Sequence, residues 1–430
     1  MSKVAILVSD EGLGGVVPFG QTLRQADFSP ILFTGKVDQD RLANWRKTYD
    51  EVHVLEDPYD AGVLVASAKD VTAGRQLAVL FSCYDGLVVP AARAAAALQL
   101  PHPAISGLIR CRNKYAMRLQ TSRTALGTPR FALLGSPQDC EIVGTRVGFP
   151  SVIKPLNGLA SHLVRKVNDL PELQAAYAEL ATKIGLSFAG NYSRPLPIDN
   201  NGKQAIDPRT TFLLEQFLSG AEYSAELLIR GGKFHRVALF HKFIVDEHGF
   251  LECGFTMPAL GVGSEREEMI WQHIETGIQT LKLDNAAAHV EVLDTDRGPV
   301  LVEVNAGRAG GQILVRAVRK ATGVDLLSEI VALQCGRERP MKEEPTLTGR
   351  VTTFTVFPSQ SGRLESIEGL EAVRKLPGVI EVITFCNPGD VIDVDDKELF
   401  AVNLLVAGVE PEELLPLYQR ANELVRFVIN

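Results

Sequence analysis

The stretches His289-Val-Glu-Val-Leu293 and Val300-Leu-Val-Glu-Val-Asn305 flank a turn, Asp294-Thr-Asp-Arg-Gly-Pro299, and together predict an antiparallel hairpin. In this register Glu291 faces Glu303, and His289 faces Asn305. Side chains alternate between the two faces of a strand. One face is therefore polar and the other apolar, with His289, Glu291, Glu303 and Asn305 on the first and Val290, Val292, Val302 and Val304 on the second.

The polar face of the hairpin has the residue types of a metal site. Two carboxylates directly opposite each other repel, and a divalent cation between Glu291 and Glu303 would remove that repulsion. Carboxylate and amide oxygens are hard ligands, which Mg²⁺ takes while it keeps waters and phosphate oxygens. A solvated polar face without a metal is the alternative.

The composition indicates a soluble globular protein. A length of 430 residues suggests about two to three domains. The six cysteines are scattered without a CxxC pair, so we expect buried thiols and neither disulfides nor a zinc site. A net charge of -8 without Lys/Arg runs argues against a nucleic-acid or acidic-membrane partner. No apolar run reaches the length of a membrane span, and the chain opens on a strand pattern rather than a signal peptide. We therefore expect a cytoplasmic protein.

The first hundred residues predict a parallel sheet covered by helices. Strand patterns at residues 4–8, 30–33, 51–55 and 77–81 alternate with helical patterns such as 18–26 and 90–98, and this alternation is typical of βαβ units. The glycine-bearing turn at residues 11–15 is either a plain tight turn or an anion site at a helix N-terminus.

Two further regions follow. Residues 112–335 mix helices with hairpins: a strand at 149–155, a loop at 156–162, a strand at 163–167 and an irregular insertion at 186–210. Beyond a charged linker at 337–345, strands at 351–357, 379–385 and 400–406 precede an amphipathic helix at 411–427.

Several charged residues upstream of the hairpin are candidates for binding an anion or a nucleotide. Lys154 ends an apolar strand, and Lys114 begins a helix that we expect to be long; a lysine so placed can pair with phosphate, although surface charges are the alternative. The strand at 212–218 carries Glu215 and turns at Gly220, which suits a flat purine ring. Glu222 could accept hydrogen bonds from ribose hydroxyls, and solvated acids are the alternative.

Taken in order, these motifs resemble the ATP-grasp superfamily. The segments that carry the resemblance are Lys114, Lys154-Pro, Gly158 to Ser161, Glu215-Gln-Phe-Leu218, Glu222-Tyr-Ser-Ala-Glu226, His289-Val-Glu291 and Glu303-Val-Asn305-Ala-Gly-Arg308. The chain is similar to the carboxylate-amine ligases of the L-amino acid ligase (dipeptide synthetase) type, to carnosine synthase and, more distantly, to D-alanine:D-alanine ligase. Three features indicate this subgroup: His289 two residues before Glu291, Arg308 three residues after Asn305, and the tract 241–258.

The resemblance implies an α/β (α+β) ATP-grasp fold. Its expected parts are an N-terminal Rossmann-like domain at 1–111, an ATP-grasp domain at 112–335 with a lid subdomain at about 128–218, and a C-terminal α+β domain at 346–430.

The resemblance also implies the residue roles. Lys114 and Lys154 contact the phosphates of ATP, which the loop from Gly158 to Ser161 covers. The other implied roles are adenine binding by Glu215, Phe217 and Leu218, ribose binding by Glu222, and coordination of two Mg²⁺ ions, with Mn²⁺ as an alternative, by Glu291, Glu303 and Asn305.

The implied reaction joins an amino acid, or a similar carboxylate, to an amino acid amine through an acylphosphate, with release of ADP and phosphate. Arg308, assisted by His289, would stabilise the oxyanion. Homodimers are common among relatives, although nothing periodic here marks an interface.

The sequence departs from the family pattern in two places. The phosphate loop has one glycine where relatives have more, with His162 and Leu163 near the expected glycine, and Ala306-Gly307 follows Asn305 where a proline is frequent. Other functions stay open: a ligase making a non-dipeptide amide in specialised or purine metabolism, a non-catalytic nucleotide-binding regulator, or a biotin-dependent carboxylase subunit.

Overall fold

The computed structural model describes residues 3–9, 15–159, 161–186, 189–199, 204–246, 251–261, 263–337, 345, 347–394 and 401–430. Most of the predicted turn at 11–15 and most of the charged linker at 337–345 lie outside these residues. Within them, no helix is long and apolar enough to cross a membrane.

The N-terminal part is a four-stranded parallel sheet with helices on its faces, as predicted. Its elements are β1 (Lys3–Val8), α1 (Val16–Gln25), β2 (Phe28–Thr34), α2 (Gln39–Trp45), β3 (Glu51–Val54), α3 (Ala61–Val71), β4 (Leu77–Phe81), α4 (Val88–Ala97) and α5 (Ile105–Arg112). The strand order is β3-β2-β1-β4, and every pairing is parallel. Five consecutive apolar residues of β1 are buried, as expected for a strand with both faces covered.

The central part contains α6 (Lys114–Thr121), β5 (Phe131–Leu134), α7 (Asp139–Val147), β6 (Ser151–Pro155), β7 (Arg165–Val167), α8 (Leu170–Lys183), α9 (Ala189–Tyr192), β8 (Leu196–Pro197), β9 (Ala205–Ile206), β10 (Phe212–Gln216), β11 (Ala221–Arg230), β12 (Lys233–Asp246), β13 (Leu251–Met257), α10 (Ser264–Leu281), β14 (Ala286–Thr295), β15 (Gly298–Ala306), α11 (Gln312–Thr322) and α12 (Leu326–Gln334). Helix α6 is only eight residues long, shorter than predicted. It ends where Thr121 and Ser122, poor helix formers, follow each other.

The C-terminal part contains β16 (Val351–Val356), β17 (Gly362–Glu368), α13 (Leu370–Val373), β18 (Val379–Thr384), β19 (Val391–Ile392), β20 (Val402–Ala407), α14 (Pro411–Leu424) and β21 (Arg426–Ile429). The prediction that the last helix reaches residue 427 is wrong. Its last turn is replaced by β21, which pairs with β17. The aromatic and β-branched side chains of β21 favour a strand once a partner edge is available.

The central and C-terminal parts share one sheet. Its order is β15-β14-β11-β12-β13-β16-β20-β18, and the pairing of β13 with β16 joins the two parts. A separate four-stranded sheet, β5-β10-β6-β7, faces it across a cleft. The apolar side of α10 packs on the large sheet, where Ile274 and Ile278 contact the same buried cluster as Val290 and Val292.

Candidate active site

A cavity of about 1090 Å³ lies between the two sheets and the N-terminal part. Its walls include Phe19 and Asp85 from the N-terminal part and Thr355 and Glu381 from the C-terminal part. All the site residues predicted from sequence line it: Lys114, Lys154, Gly158, Ser161, Glu215, Phe217, Leu218, Glu222, His289, Glu291, Glu303, Asn305 and Arg308. The fold thus brings together residues that are up to 194 positions apart, from Lys114 to Arg308.

The hairpin is built in the predicted register at its functional end. His289 pairs with Asn305 and Glu291 pairs with Glu303. Beyond Glu291 the register shifts, so that Val292 faces Leu301. The prediction that Val302 lies on the apolar face is therefore wrong: Leu301 joins that core, and Val302 lines the cavity. The turn is also tighter than predicted, because Thr295 already pairs with Gly298.

The repulsion between the two facing carboxylates is relieved by two buried lysines. Nζ of Lys114 lies 2.7 Å from Oε1 of Glu303, and Nζ of Lys242 lies 3.2 Å from Oε2 of Glu291. Burial alone would raise the pKa of Glu291, but the charges of Lys242 and His289 hold that pKa well below its usual range. The carboxylate is thus ionised at neutral pH, as a metal ligand must be.

The oxygen donors of the hairpin fit Mg²⁺ rather than a metal enclosed by the protein. Within the described residues, no group of three or more His, Cys, Asp or Glu side chains forms a metal cage. Two carboxylates and the Asn305 amide share one face and line the cavity. Mg²⁺ is commonly held by one or two carboxylates, with waters and substrate phosphates completing its shell.

Lys154 and Glu215 form a buried charge cluster with Arg118. Nζ of Lys154 lies 2.6 Å from Oε2 of Glu215, and Nε of Arg118 lies 2.5 Å from Oε1. Burial raises the pKa of Glu215, but the two cations outweigh it and bring that pKa to about 2. Burial and the charge of Arg118 lower the pKa of Lys154. The carboxylate of Glu215 is thus held by two cations.

Sequence reasoning missed Arg118, although a signal was present. Arg118 lies one helical turn after Lys114 on α6, so both side chains project from the same side of the helix. Its terminal nitrogens also donate to the main-chain oxygens of Leu301 and Val302, at 2.5 and 3.2 Å. Arg118 therefore ties α6 to both β10 and the hairpin strand β15.

Lys242 was also missed as a site residue. Its side chain is 1% exposed and contacts three carboxylates: Glu252, Glu291 at 3.2 Å, and Glu222 at 3.7 Å. Burial would lower the pKa of Lys242, but these carboxylates raise it well above its usual value. The expected ribose residue Glu222 and the expected metal ligand Glu291 are thus linked by one cation.

His289 is held by Glu226 from the neighbouring strand. Nδ1 of His289 lies 2.7 Å from Oε1 of Glu226, and the Gly310 N–H donates to the same oxygen at 3.0 Å. Burial would lower the pKa of His289, but the charge of Glu226 raises it to about 9. His289 is therefore an imidazolium at neutral pH. Sequence analysis quoted Glu226 as part of a motif without giving it a role.

Arg308 is anchored by the N-terminal part. Its Nε donates to Oδ2 of Asp85 at 2.7 Å, and a terminal nitrogen donates to the Ala309 oxygen at 3.0 Å. Asp85, 6% exposed, follows β4. Although burial would lower it, the pKa of Arg308 is raised by Asp85. Nothing in the local sequence around Asp85 pointed to this contact.

The expected adenine residues and the phosphate loop also line the cavity. Nζ of Lys166 stands 4.0 Å over the ring of Phe217, and Leu218 follows it along the cavity wall. In the loop, Ser161 and Leu163 have φ values of 56° and 57°. Such left-handed conformations cost non-glycine residues roughly 1 to 2 kcal/mol each. Leu163, which lies near the expected glycine, thus has a backbone conformation that favours glycine.

The comparisons with known proteins agree with this arrangement. Residues 147–316 match the ATP-grasp domain, and residues 355–430 match the L-amino acid ligase C-terminal domain 2. The chain contains an ATP-grasp domain. This confirms the family predicted from the ordered motifs.

Relatives of this ATP-grasp protein include an L-arginine-specific L-amino acid ligase of Bacillus subtilis, 19% identical over 84% of the chain and 83% of that protein. An uncharacterized protein, y4rH of Sinorhizobium fredii, is 24% identical over 67% of this chain. The match spans 55% of the length of that relative. The crystal structure of an L-amino acid ligase from Bacillus licheniformis superposes with a TM-score of 0.80 at 19% identity, over all of both chains. The predicted α/β ATP-grasp fold is thereby confirmed.

Proposed function

We propose that this ATP-grasp protein is an ATP- and Mg²⁺-dependent ligase that forms an amide bond between an amino acid, or a similar carboxylate, and an amino acid amine. The observation that carries the proposal is the placement of Glu291, Glu303 and Asn305 on one cavity face, with two cationic side chains, His289 and Arg308, on the same wall. The three oxygen ligands suit a metal ion that binds the phosphates of ATP. The two cationic side chains suit a developing oxyanion. The matching C-terminal domain supports the same reaction class.

In the first step, a carboxylate oxygen of the first substrate attacks the γ-phosphorus. The new O–P bond forms as the bond to the bridging oxygen of ADP breaks, which gives an acylphosphate. Phosphoryl transfer asks mainly for positioning and charge neutralisation. Lys114 and Lys154 supply positive charge, and Glu215 with Arg118 fixes Lys154. Mg²⁺ held by Glu291, Glu303 and Asn305 would neutralise phosphate charge when bound.

In the second step, the amine nitrogen of the second substrate attacks the acyl carbon. The carbonyl oxygen becomes an oxyanion, and its collapse breaks the bond from the acyl carbon to the phosphate oxygen. The amide remains, and the proton lost by the amine leaves with the released phosphate. Arg308 and His289 would donate hydrogen bonds to that oxyanion. Because the pKa of His289 is about 9, it acts as a hydrogen-bond donor and not as the base.

The proposal includes the finer points that the sequence predicted. Two Mg²⁺ ions, with Mn²⁺ as an alternative, would serve the reaction, and the substrates are small molecules rather than nucleic acid or membrane. A homodimer and a cytoplasmic location remain predictions, as do the domain boundaries at 1–111, 112–335 and 346–430.

The deciding experiment is phosphate release from ATP and Mg²⁺ across all pairs of the common amino acids, with mass spectrometry of the products. We expect release that needs two amino acids and a product of their condensed mass. Nucleotide binding without release for any pair would contradict the amino acid ligase and favour another substrate class or a regulatory binder.

A further inference from the structure

The loop expected to cover the phosphates is attached to the segment that the sequence predicted as an irregular insertion. The contact lies between the described residues of the connection from β6 to β7, 156–159 and 161–164, and residues 189–197, hereafter the brace segment. Nδ2 of Asn157 donates to the Asn191 oxygen at 2.7 Å, and Nδ2 of Asn191 donates to the Asn157 oxygen at 2.9 Å. Both asparagines are buried. The two chain segments thus exchange amide hydrogen bonds away from solvent.

Apolar packing reinforces this attachment. Leu159 of the loop and Tyr192 of the brace segment form a small buried cluster, flanked by Ile184. The ring of His162 lies 6.5 Å from the ring of Tyr192, with the planes tilted by 30°. His162 and Leu159 therefore contact Tyr192 through side-chain atoms that a glycine would lack.

The other side of the brace segment contacts the N-terminal part. Arg194 pairs with Asp57 and lies 3.6 Å from Asp60, the residue that caps α3. Gly190 lies so close to Tyr59 that a Cβ atom would stand 2.5 Å from the ring. One short segment therefore bridges the N-terminal part and the phosphate loop.

A further contact links the brace segment to the start of α6. The side chain of Arg112 donates to Oδ1 of Asn191, and Nδ2 of Asn113 donates to the Pro197 oxygen at 3.2 Å. The next residue, Lys114, donates from Nζ to the Gly158 oxygen at 2.7 Å. The expected phosphate lysine, the loop and the brace segment thus form one connected unit.

We propose that the brace segment positions the phosphate loop, with Asn191 as the main positioning residue, and ties the loop to the N-terminal part. The inference rests on the proposed function. Acylphosphates hydrolyse when water reaches them, so a loop that opens during turnover loses intermediate to water. The phosphate loop contains only one glycine. Its contacts with the brace segment therefore hold it in position, where a glycine-rich loop would rely on its own flexibility to cover the phosphates.

The experiment compares N191A and R194A with a matched control, R209A. Arg194 is exposed, so R194A removes the link to Asp57 without disturbing a buried contact. Arg209 forms an exposed pair with Asp207 farther along the same insertion. Hydrogen exchange of residues 156–164 reports loop docking in the protein alone. The ratio of ADP to amide product reports loss of the acylphosphate to water, which a merely structural role would leave at one.

We expect loop amides to exchange about tenfold faster in N191A, the factor for losing buried hydrogen bonds, and several-fold faster in R194A. We expect the ADP-to-amide ratio to rise above one in both, with R209A unchanged. Loop exchange equal to R209A in both variants would overturn the positioning role. Faster exchange with a ratio of one would overturn its role in turnover. If N191A fails to fold, R194A decides by both readouts. If the wild type forms no amide, the proposed function fails, while the exchange comparison still tests the docking.

Discussion

Nε of Arg308 lies 2.7 Å from Oδ2 of Asp85, although the two residues are 223 positions apart and belong to different parts of the chain. We predict that Asp85→Asn slows amide formation by about tenfold, because a charge-assisted hydrogen bond to a charged group contributes about 1.5 to 3 kcal/mol. Steady-state product formation measures the effect. Asp70→Asn, on the exposed side of α3, is the control. Equal rates for both variants would show that Arg308 needs no anchor.

Glu303→Ala removes one of the two facing carboxylates and the partner of Lys114. We expect turnover to disappear and the melting temperature to fall, because the buried Lys114 loses its carboxylate partner. ATP cleavage with substrates present and a thermal melt measure the two effects. Asp296→Ala, at the exposed tip of the same hairpin, is expected to behave as wild type. Full ATP cleavage by Glu303→Ala would contradict the metal assignment.

Glu226→Gln should change the pH dependence of stability. Glu226, together with a smaller contribution from Glu291, raises the pKa of His289 to about 9, so protonated His289 stabilises the native state by about 3 kcal/mol below the unfolded histidine pKa of about 6.5. That stability is lost as the pH rises through about 9. Denaturant unfolding should therefore show a large deficit for Glu226→Gln at pH 6 and a small one at pH 10. A deficit that does not vary with pH would contradict the charge pairing.

Gly310 and Gly311 offer a matched pair of substitutions. A Cβ atom on Gly310 would stand 2.5 Å from Oε1 of Glu226 and 2.9 Å from Nδ1 of His289, whereas one on Gly311 would meet nothing within 4 Å. We expect Gly310→Ala to displace His289 and reduce amide formation by at least about tenfold. Gly311→Ala should remain near wild type. Similar rates for the two variants would show that the position of His289 is not limiting.

The hairpin could be predicted from sequence because its evidence is local. Alternating side chains and two facing acids set the register from His289 to Glu291 without reference to the rest of the fold. The shift beyond Glu291 could not be predicted, because it depends on Leu301 filling the core under α10. The strand β21 could not be predicted either, because its formation depends on pairing with β17.

The site shows the same division. The thirteen residues predicted from ordered motifs all line the cavity, but the partners that fix them were missed. Asp85 and Lys242 act across tertiary contacts that the sequence near them does not indicate. The place of Arg118 one turn after Lys114 was a local signal, but its partner Glu215 lies 97 positions away. Faces and periodicity predict which side chains point inward, whereas ion pairs between distant segments follow only from the packed structure.

The pairing of β13 with β16 makes the C-terminal part an extension of the large sheet rather than an appended module. A truncation before residue 351 would leave β13 as an unpaired edge, with Phe255 and Met257 deprived of part of their packing. Exposed strand edges of this kind recruit other chains. Exchanging C-terminal parts between related ligases would therefore require a matched strand junction, and a truncated chain should aggregate before its chemistry can be measured.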